Sequence, residues 1–302
     1  MRAILFGASK AGENYVSNHP DIEVVAFTDN DSAKHGTRFM GYPIIAPADI
    51  NTHDVDSIII TSQWVDQIYS QLTQEMGIDE SNIIVPSKQS VKAALPFEDN
   101  ETLAFAQSVM RTLNRYFVSH NISACLDSGT LLGAVRNKGL IPWDDDIDLA
   151  VDKDNYERLQ ASLPELYKLL NTNYDVKWNI VIITVNNIDC CINLEFSNSS
   201  HTQLVPFDIS IQRRESINGL SELLSSGGLF FAPATHFDSY EPIEFLGETF
   251  LAPFDAEGFL TFMYGHWQTP KKTTQITEYE NRRASMSAPR TGISVQKRTF
   301  CE

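Results

Sequence analysis

Four aspartates stand almost next to one another in the segment Asp144-Asp145-Asp146-Ile147-Asp148, at the start of an apolar run. Folding alone does not favour such a cluster, because ionised carboxylates repel one another and cost free energy when they are buried without a compensating cation or donor. A divalent metal ion that carries a phosphate ester is the simplest compensation. The pattern therefore predicts a metal-dependent enzyme that transfers a phosphoryl group.

The spacing of the last two aspartates predicts which of them bind the metal. In a strand, residues two apart point to the same face, about 6.5 Å apart, so Asp146 and Asp148 share one side and the apolar residues between and after them share the other. Two such carboxylates can hold one Mg²⁺ ion or bridge two, with Mn²⁺ as the alternative metal. For Asp144 and Asp145 two interpretations stay open: they orient waters or a substrate hydroxyl, or they are solvated turn residues.

A third carboxylate would complete this site, and two candidates occur later in the chain. Asp208 is the lone acid in the apolar segment 205–211, and Glu195 has the same setting in the segment 192–196. A metal-proximal or general-base role is predicted for Asp208, with a satisfied structural aspartate as the alternative. Glu195 is the second choice for the same position.

A glycine and a hydroxyl upstream of the aspartates predict an anion-binding turn. Gly129 allows the backbone to approach a phosphate closely, Thr130 can donate from its hydroxyl, and the start of the helix that follows presents free N–H groups. Arg136 and Lys138 stand at the other end of this short helix. They either bind phosphate or only neutralise the helix C-terminus.

The segment Leu126–Arg136, followed by Ile141–Asp148, resembles the signature of the LicD family, and Tyr264–Pro270 resembles the C-terminal element of that family. The resemblance covers about residues 100 to 275. It implies a nucleotidyltransferase-like α+β fold. Asn137 and His266 depart from the family's pattern, and their roles are left open.

The resemblance also implies a reaction. LicD-type proteins transfer a phospho-alcohol, such as phosphocholine, ribitol phosphate or glycerol phosphate, from a CDP-alcohol donor to a hydroxyl of a cell-surface glycan, glycolipid or teichoic acid, and they release CMP. By this likeness Asp146 and Asp148 are metal ligands, and Asp208 is the third acid, as a metal ligand or as a catalytic base.

Ahead of this region, residues 1–90 read as alternating strands and helices, which predicts an α/β Rossmann-like domain. Gly7, Ser9 and Gly12 form a variant of the dinucleotide fingerprint, and Asp29 is the candidate ribose ligand at the end of the second strand. The domain resembles N-terminal domains of polysaccharide-biosynthesis proteins. Nucleotide binding, an interaction or dimerisation role and a vestigial fold are alternatives. The second domain is predicted over residues 98–302.

Composition limits the partners. The formal charge of −16, from 23 basic and 39 acidic residues, disfavours nucleic acid as a ligand. The four cysteines show no C-x-x-C pair, which favours a reducing cytoplasm. The sequence contains no apolar run long enough to span a bilayer, so contact with a membrane would be peripheral. The basic segment 271–302 is a solvated tail or an arm that touches an anionic substrate. Homo-oligomerisation stays open.

Three functions are therefore compared. The first is phospho-alcohol transfer from a CDP carrier to a glycan. The second is transfer of a nucleotidyl group to a sugar or small molecule. The third is a non-catalytic scaffold of polysaccharide assembly, against which the set of acidic residues argues.

Overall fold

The structure, a computed structural model, forms two compact units. The residues that it describes are 1–92, 95–272, 275–279, 281–282 and 295–300. Of these, the first unit contains 1–92, 271–272 and 275–279, and the second contains 95–270, 281–282 and 295–300.

The first unit is built on one mostly parallel sheet. Its elements are β1 Arg2–Phe6, α1 Lys10–Asn18, β2 Glu23–Thr28, β3 Arg38–Phe39, β4 Tyr42–Ile45, β5 Ser57–Ile60, α2 Val65–Ser70 and β6 Ile83–Ile84. The strand order is β3-β4-β2-β1-β5-β6, and every pair is parallel except β3 with β4. The order reverses direction at β1, as in doubly wound α/β sheets.

The central strands of this sheet are apolar along their whole length because both of their faces are covered. Residues 3–6 of β1 and residues 58–60 of β5 are buried, and they divide between two apolar clusters. Burial on both sides explains the continuous apolar runs in the sequence. The predicted α/β, Rossmann-like class of this unit is confirmed.

A late segment of the chain returns to the first unit. Gln275 Nε2 donates to the carbonyl oxygen of Val85 over 3.2 Å, and the Lys88 ammonium lies 4.7 Å from the centre of the Tyr279 ring. Segment 275–279 therefore packs with the first unit. The division predicted from the sequence, 1–90 and 98–302, did not contain this return.

The second unit combines helices with a large mixed sheet. Its helices are α3 Asn100–Ser119, α4 Ser128–Leu132, α5 Lys153–Ala161, α6 Leu163–Asn173 and α7 Ala256–Tyr264. Its strands are β7 Cys125–Leu126, β8 Asp146–Val151, β9 Val176–Val185, β10 Ile188–Asn198, β11 Asp208–Ile217, β12 Leu220–Leu223, β13 Phe231–Pro233, β14 Tyr240–Phe245, β15 Glu248–Pro253 and β16 Val295–Thr299.

The sheet of the second unit brings distant parts of the chain side by side. The main strand order is β14-β15-β7-β8-β11-β10-β9-β16, and β12 and β13 extend from β11. Strands β8 and β11 are parallel neighbours, whereas β10 is antiparallel to both β11 and β9. The mixed sheet and its helices agree with the predicted α+β character.

The two faces of this sheet differ in polarity. Ile147 and Leu149 of β8 are buried in the main apolar cluster, together with Ile209 and Ile211 of β11. Helix α3 packs against the same cluster through an apolar stripe that repeats with the 3.6-residue period of a helix. The residues that alternate with these apolar ones, including the aspartates, therefore lie on the opposite face.

Two boundaries differ from the expectation. Strand β11 begins at Asp208, after Pro206, so this aspartate is at the strand entrance and not in its middle. The helix after Ser128 does reach Asn137, but its second half is a turn of π-helix over residues 133–137.

Among the helices that the structure describes, none combines the length and the apolar character needed to cross a bilayer.

Candidate active site

The strand register brings three of the predicted acids onto one face. Asp146 of β8 is the direct partner of Asp208 on β11, and Asp208 in turn faces Glu195 on β10. Directly paired residues of neighbouring strands point to the same side of a sheet, with the strands about 4.8 Å apart. Asp208 and Glu195, the two alternatives for the third acid, are therefore neighbours and not exclusive choices.

The carboxylates that are closest to one another are those that precede β8. Among the described residues, Asp144, Asp145 and Asp146 are the group whose carboxylate oxygens all lie within 4.8 Å of one another, close enough to share one cation. The set predicted from the sequence, with Asp148 and Asp208, shares only Asp146 with this group. Asp144 and Asp145 are half-buried, so they are not simply solvated turn residues.

Gly129 makes room for one of these carboxylates. A Cβ atom at this position would lie 2.2 Å from Asp144 Oδ2, and no other residue nearby would obstruct it. The glycine was predicted to allow close approach of a phosphate. The contact that the structure gives it is with Asp144, so the turn and the acidic segment are fitted together.

Thr130 and Asp127 hold the backbone of Asp148. Thr130 Oγ1 accepts the N–H of Asp148 over 2.9 Å, and the N–H of Asp127 donates to the Asp148 carbonyl oxygen over 3.1 Å. Thr130 is only 3 % exposed. Its hydroxyl oxygen thus fixes strand β8, a different contact from the one expected with phosphate.

A buried ion pair that the sequence did not reveal supports this turn. Arg214 Nε donates to Asp127 Oδ2 over 2.8 Å, and the two side chains are 4 % and 1 % exposed. The other oxygen of Asp127 accepts the N–H of Ser128, and the Arg214 guanidinium lies 4.2 Å from the centre of the Phe237 ring. Removal of one partner of such a buried pair typically costs about 3–5 kcal/mol, because the other charge is left uncompensated.

The carboxyl group of Asp208 is held in a negative environment. Asn193 Nδ2 donates to Asp208 Oδ2 over 3.1 Å. Burial, with the negative charges of Glu195 and Asp145, raises the pKa of the Asp208 carboxyl to about 6. The charge of Lys297, on the edge strand β16, opposes this shift.

The two predicted phosphate-binding cations have different surroundings. Arg136 Nε donates to Asn137 Oδ1 over 2.7 Å, and its Nη1 donates to the carbonyl oxygen of Trp267 over 3.1 Å. Burial lowers the pKa of Arg136. The contact of Arg136 with Trp267 joins the turn to the Tyr264–Pro270 element, whereas Lys138 is exposed and adopts a left-handed backbone conformation. Asn137 therefore has a structural partner.

The C-terminal element presents its histidine and tryptophan differently. His266 is exposed, and Trp267 is buried with its indole N–H donating to Thr261 Oγ1 over 3.1 Å.

Much of the basic segment 271–302, including Arg283 and Arg290, lies outside the described residues. Arg298 on β16 pairs with Asp189.

In the first unit, the fingerprint residues form a closed turn. Gly7 has a φ of +124°, and a Cβ atom there would lie 2.7 Å from the carbonyl oxygen of Thr61. A Cβ atom at Gly12 would lie 2.6 Å from the carbonyl oxygen of Gly7, and the Ser9 hydroxyl donates to the Thr61 carbonyl oxygen over 3.3 Å. These glycines are required by the close packing of the turn against the end of β5.

The carboxylate of Asp29 already has partners within the first unit. Its Oδ2 accepts from the N–H of Ala8 and from Lys34 Nζ, at 3.1 and 2.7 Å, and its Oδ1 accepts from the N–H of Asp31. A ribose hydroxyl at Asp29 would have to share this carboxylate with Ala8, Asp31 and Lys34. This arrangement favours the alternatives over nucleotide binding, which stays a prediction.

Comparison with protein families now bears on this geometry. Residues 121–255 match the model described as LicD/FKTN/FKRP, nucleotidyltransferase domain, and residues 1–84 match C2185-like, N-terminal. Residues 121–255 are thus similar to the nucleotidyltransferase domain of the LicD family. The LicD match includes the aspartates, the glycine turn and strands β7 to β15, so it covers the candidate site.

Curated relatives match shorter stretches of the chain. The chain is 46 % identical over 61 residues to the lipopolysaccharide cholinephosphotransferase LicD of Haemophilus influenzae, which is 19 % of this chain and 23 % of that protein. It is 38 % identical over 73 residues to an uncharacterized protein of Rickettsia prowazekii, 24 % of this chain and 27 % of the relative. The chain thus spans about a quarter of the length of the curated relatives it matches.

Similarity to solved structures is low. A UDP-D-quinovosamine 4-dehydrogenase from Vibrio fischeri is 19 % identical with a TM-score of 0.24, over 28 % of this chain and 76 % of that chain. A biliverdin reductase from Synechocystis is 10 % identical with a TM-score of 0.25, over 92 % and 94 %. Scores this low carry no argument about this protein.

The fit between Gly129 and Asp144 gives a first prediction. Gly129→Ala should displace the Asp144 carboxylate, since the new methyl group would overlap a side-chain oxygen and not the backbone, and should weaken Mg²⁺ binding about tenfold or more with the fold intact. Gly139→Ala is the matched control, because a Cβ atom there meets nothing within 4 Å. Titration calorimetry of both variants checks this, and equal Mg²⁺ affinity in the two would contradict it.

The raised pKa of Asp208 gives a second prediction, for metal-free protein. Below about pH 4 the folded and unfolded chains both bind the proton, whereas between about pH 4 and 6 only the folded chain retains it, so wild-type stability falls as the pH rises. The stability of Asp208→Asn relative to wild type should therefore grow by about 1–3 kcal/mol over this range. Urea unfolding in EDTA measures it.

A variant with the opposite sign is the control for this measurement. Arg298 donates to Asp189 and lowers the pKa of that carboxyl, so the wild-type advantage over Asp189→Asn should be complete above about pH 4 and should decline below it. A stability difference between wild type and Asp208→Asn that stays constant from pH 4 to 7 would show that Asp208 titrates normally.

Proposed function

We propose that this protein transfers a phospho-alcohol, such as phosphocholine, ribitol phosphate or glycerol phosphate, from a CDP-alcohol to a hydroxyl of a cell-surface glycan, glycolipid or teichoic acid, releasing CMP. The observation that carries the proposal is the group of Asp144, Asp145 and Asp146 beside Asp208 on the neighbouring strand. The LicD-family match over these residues, and the cholinephosphotransferase among the relatives, support this chemistry. We further propose the nucleotidyltransferase-like fold for this unit.

The donor set fits a divalent metal of the Mg²⁺ or Mn²⁺ type. All the candidate ligands are carboxylate oxygens, which these ions prefer, and three of them already lie within reach of one cation. We assign the cation to Asp146 with Asp144 and Asp145, and we add Asp148 and Asp208 as further ligands on the same face. Such an ion would neutralise the donor pyrophosphate and the charge that develops on CMP.

The remaining chemistry belongs to side chains. The acceptor hydroxyl oxygen attacks the phosphorus of the phospho-alcohol, the bond to the CMP oxygen breaks, and CMP leaves with that electron pair. Asp208 is positioned beside Asp146 to accept the proton of the attacking hydroxyl. Lys138, which is exposed beyond the turn, is available to the phosphate groups, and Arg136 orders the loop that carries Trp143.

We also infer a reducing compartment, the cytoplasm, with peripheral contact at the membrane that carries the acceptor. The cysteines that the structure describes, Cys125, Cys190 and Cys191, are buried free thiols, which supports this setting.

The experiment that tests the function is a donor panel. The protein is incubated with CDP-choline, CDP-ribitol or CDP-glycerol, Mg²⁺ and glycan acceptors, and CMP release is followed. Asp146→Asn should lower turnover at least about 100-fold, while its thermal midpoint stays equal or rises because one repelling charge is gone. Asp154→Asn, an exposed acid of α5, is the control and should keep full activity.

Two outcomes would replace the proposal. Product formed from nucleoside triphosphates but not from CDP-alcohols would favour a nucleotidyltransferase, a class that the family's own description names. Absence of both turnover and metal binding would favour a scaffold role.

A further inference from the structure

Two neutral amides reach the carboxylates of the candidate site. Gln212 lies on β11 two residues beyond Ser210, which is the register partner of Asp148. Its Nε2 donates to Asp148 Oδ1 over 2.9 Å, and its Oε1 accepts from the Ser225 hydroxyl over 2.5 Å. The amide thus forms a relay from a hydroxyl to a carboxylate.

A second relay, also built of a hydroxyl, an amide and a carboxylate, ends at Asp208 on β11. Asn193 on β10 donates from Nδ2 to Asp208 Oδ2 over 3.1 Å. Its Oδ1 accepts from the Ser210 hydroxyl over 2.7 Å, and Cys191 Sγ lies 3.4 Å from the same oxygen. Hydroxyl, amide and carboxylate follow in the same order as in the first relay.

The carboxylate in each relay determines which way the amide faces, and the hydroxyl holds the amide in that orientation. An ionised carboxylate only accepts hydrogen bonds, so an amide that turned its oxygen toward it would place two acceptors in contact. In the observed orientation the amide N–H donates to the carboxylate, and the hydroxyl donates to the amide oxygen. Each carboxylate therefore accepts a hydrogen bond from an amide N–H that is itself held in place. This hydrogen bond limits the rotation of the carboxylate group.

The choice of a neutral donor has an electrostatic consequence. Elsewhere in the same unit, carboxylates are held by arginine: Asp127 by Arg214, and Asp189 by Arg298. A guanidinium neutralises its partner, whereas an amide orients a carboxylate and leaves its negative charge available to a cation. Asp148 and Asp208 each receive an amide donor of this kind.

We propose that Gln212 and Asn193 are positioning residues, whose uncharged amide donors orient Asp148 and Asp208 toward a divalent cation. Ser225 and Ser210 act one step further away, by fixing the amides. The inference rests on the metal site of the proposed function, but not on the identity of the donor or acceptor.

The test measures metal affinity without substrate. Mn²⁺ binding is followed by the electron paramagnetic resonance signal of the free ion, together with the thermal midpoint. Gln212→Met and Asn193→Leu keep the side-chain size and remove the donor, and each should weaken Mn²⁺ binding by about 10- to 100-fold with little change in the thermal midpoint. Ser225→Ala should have a smaller effect.

Two comparisons separate positioning from general destabilisation. Because Ser225 acts through Gln212, adding Ser225→Ala to Gln212→Met should weaken Mn²⁺ binding no further. Gln160→Met is the matched control: Gln160 also donates to a carboxylate, Asp189, over 2.9 Å, but that carboxylate is paired with Arg298 away from the site. It should leave Mn²⁺ affinity unchanged.

Several results would overturn the inference. These are unchanged Mn²⁺ affinity in Gln212→Met, an equal loss in Gln160→Met, or additive losses in the double variant. If Gln212→Met does not fold, unchanged affinity in Ser225→Ala decides against it. Wild-type protein that binds no Mn²⁺ would refute both this inference and the metal site, whereas Mn²⁺ binding with the expected variant pattern but no CMP release would refute only the proposed reaction.

Discussion

Several carboxylates lie together on one face of the sheet in the second unit and repel one another. The rest of the site must compensate for this repulsion. Asp146 and Asp208 are paired across β8 and β11, Glu195 adjoins them on β10, and Asp144 and Asp145 stand at the strand entrance. Burial and the neighbouring negative charges raise the pKa of the Asp208 carboxyl. The raised pKa means that the ionised form of Asp208 is destabilised in the folded protein. A chain that only needed to fold would gain stability by losing one of these charges.

Several uncharged contacts of the described residues maintain that arrangement. Gly129 leaves room for the Asp144 carboxylate, and Thr130 holds the backbone of Asp148. Arg214 pairs with Asp127 and so stabilises the turn that carries Ser128 and Gly129. Asp148 and Asp208 each accept a hydrogen bond from an uncharged amide, Gln212 and Asn193 respectively, which adds no charge of its own.

The sequence predicted the parts of this site that depend on local periodicity. Alternation placed Asp146 and Asp148 opposite Ile147 and Leu149, and continuous apolar runs indicated the covered sheet of the first unit. It did not predict the contacts of Gln212, Asn193 or Arg214, because these depend on how the strands pair and join residues that are 64, 15 and 87 positions apart in the chain. For the same reason Asp208 and Glu195 were treated as alternatives, although the sheet places them side by side.

The central claim is that these aspartates share a divalent cation, and crystals soaked in Mn²⁺ test it most directly. Diffraction data collected at the manganese absorption edge should show one or two anomalous peaks within about 2.0–2.3 Å of carboxylate oxygens, with Asp146 among the ligands. An ordered site without an anomalous peak at saturating Mn²⁺, with the aspartate side chains directed into solvent, would contradict the account.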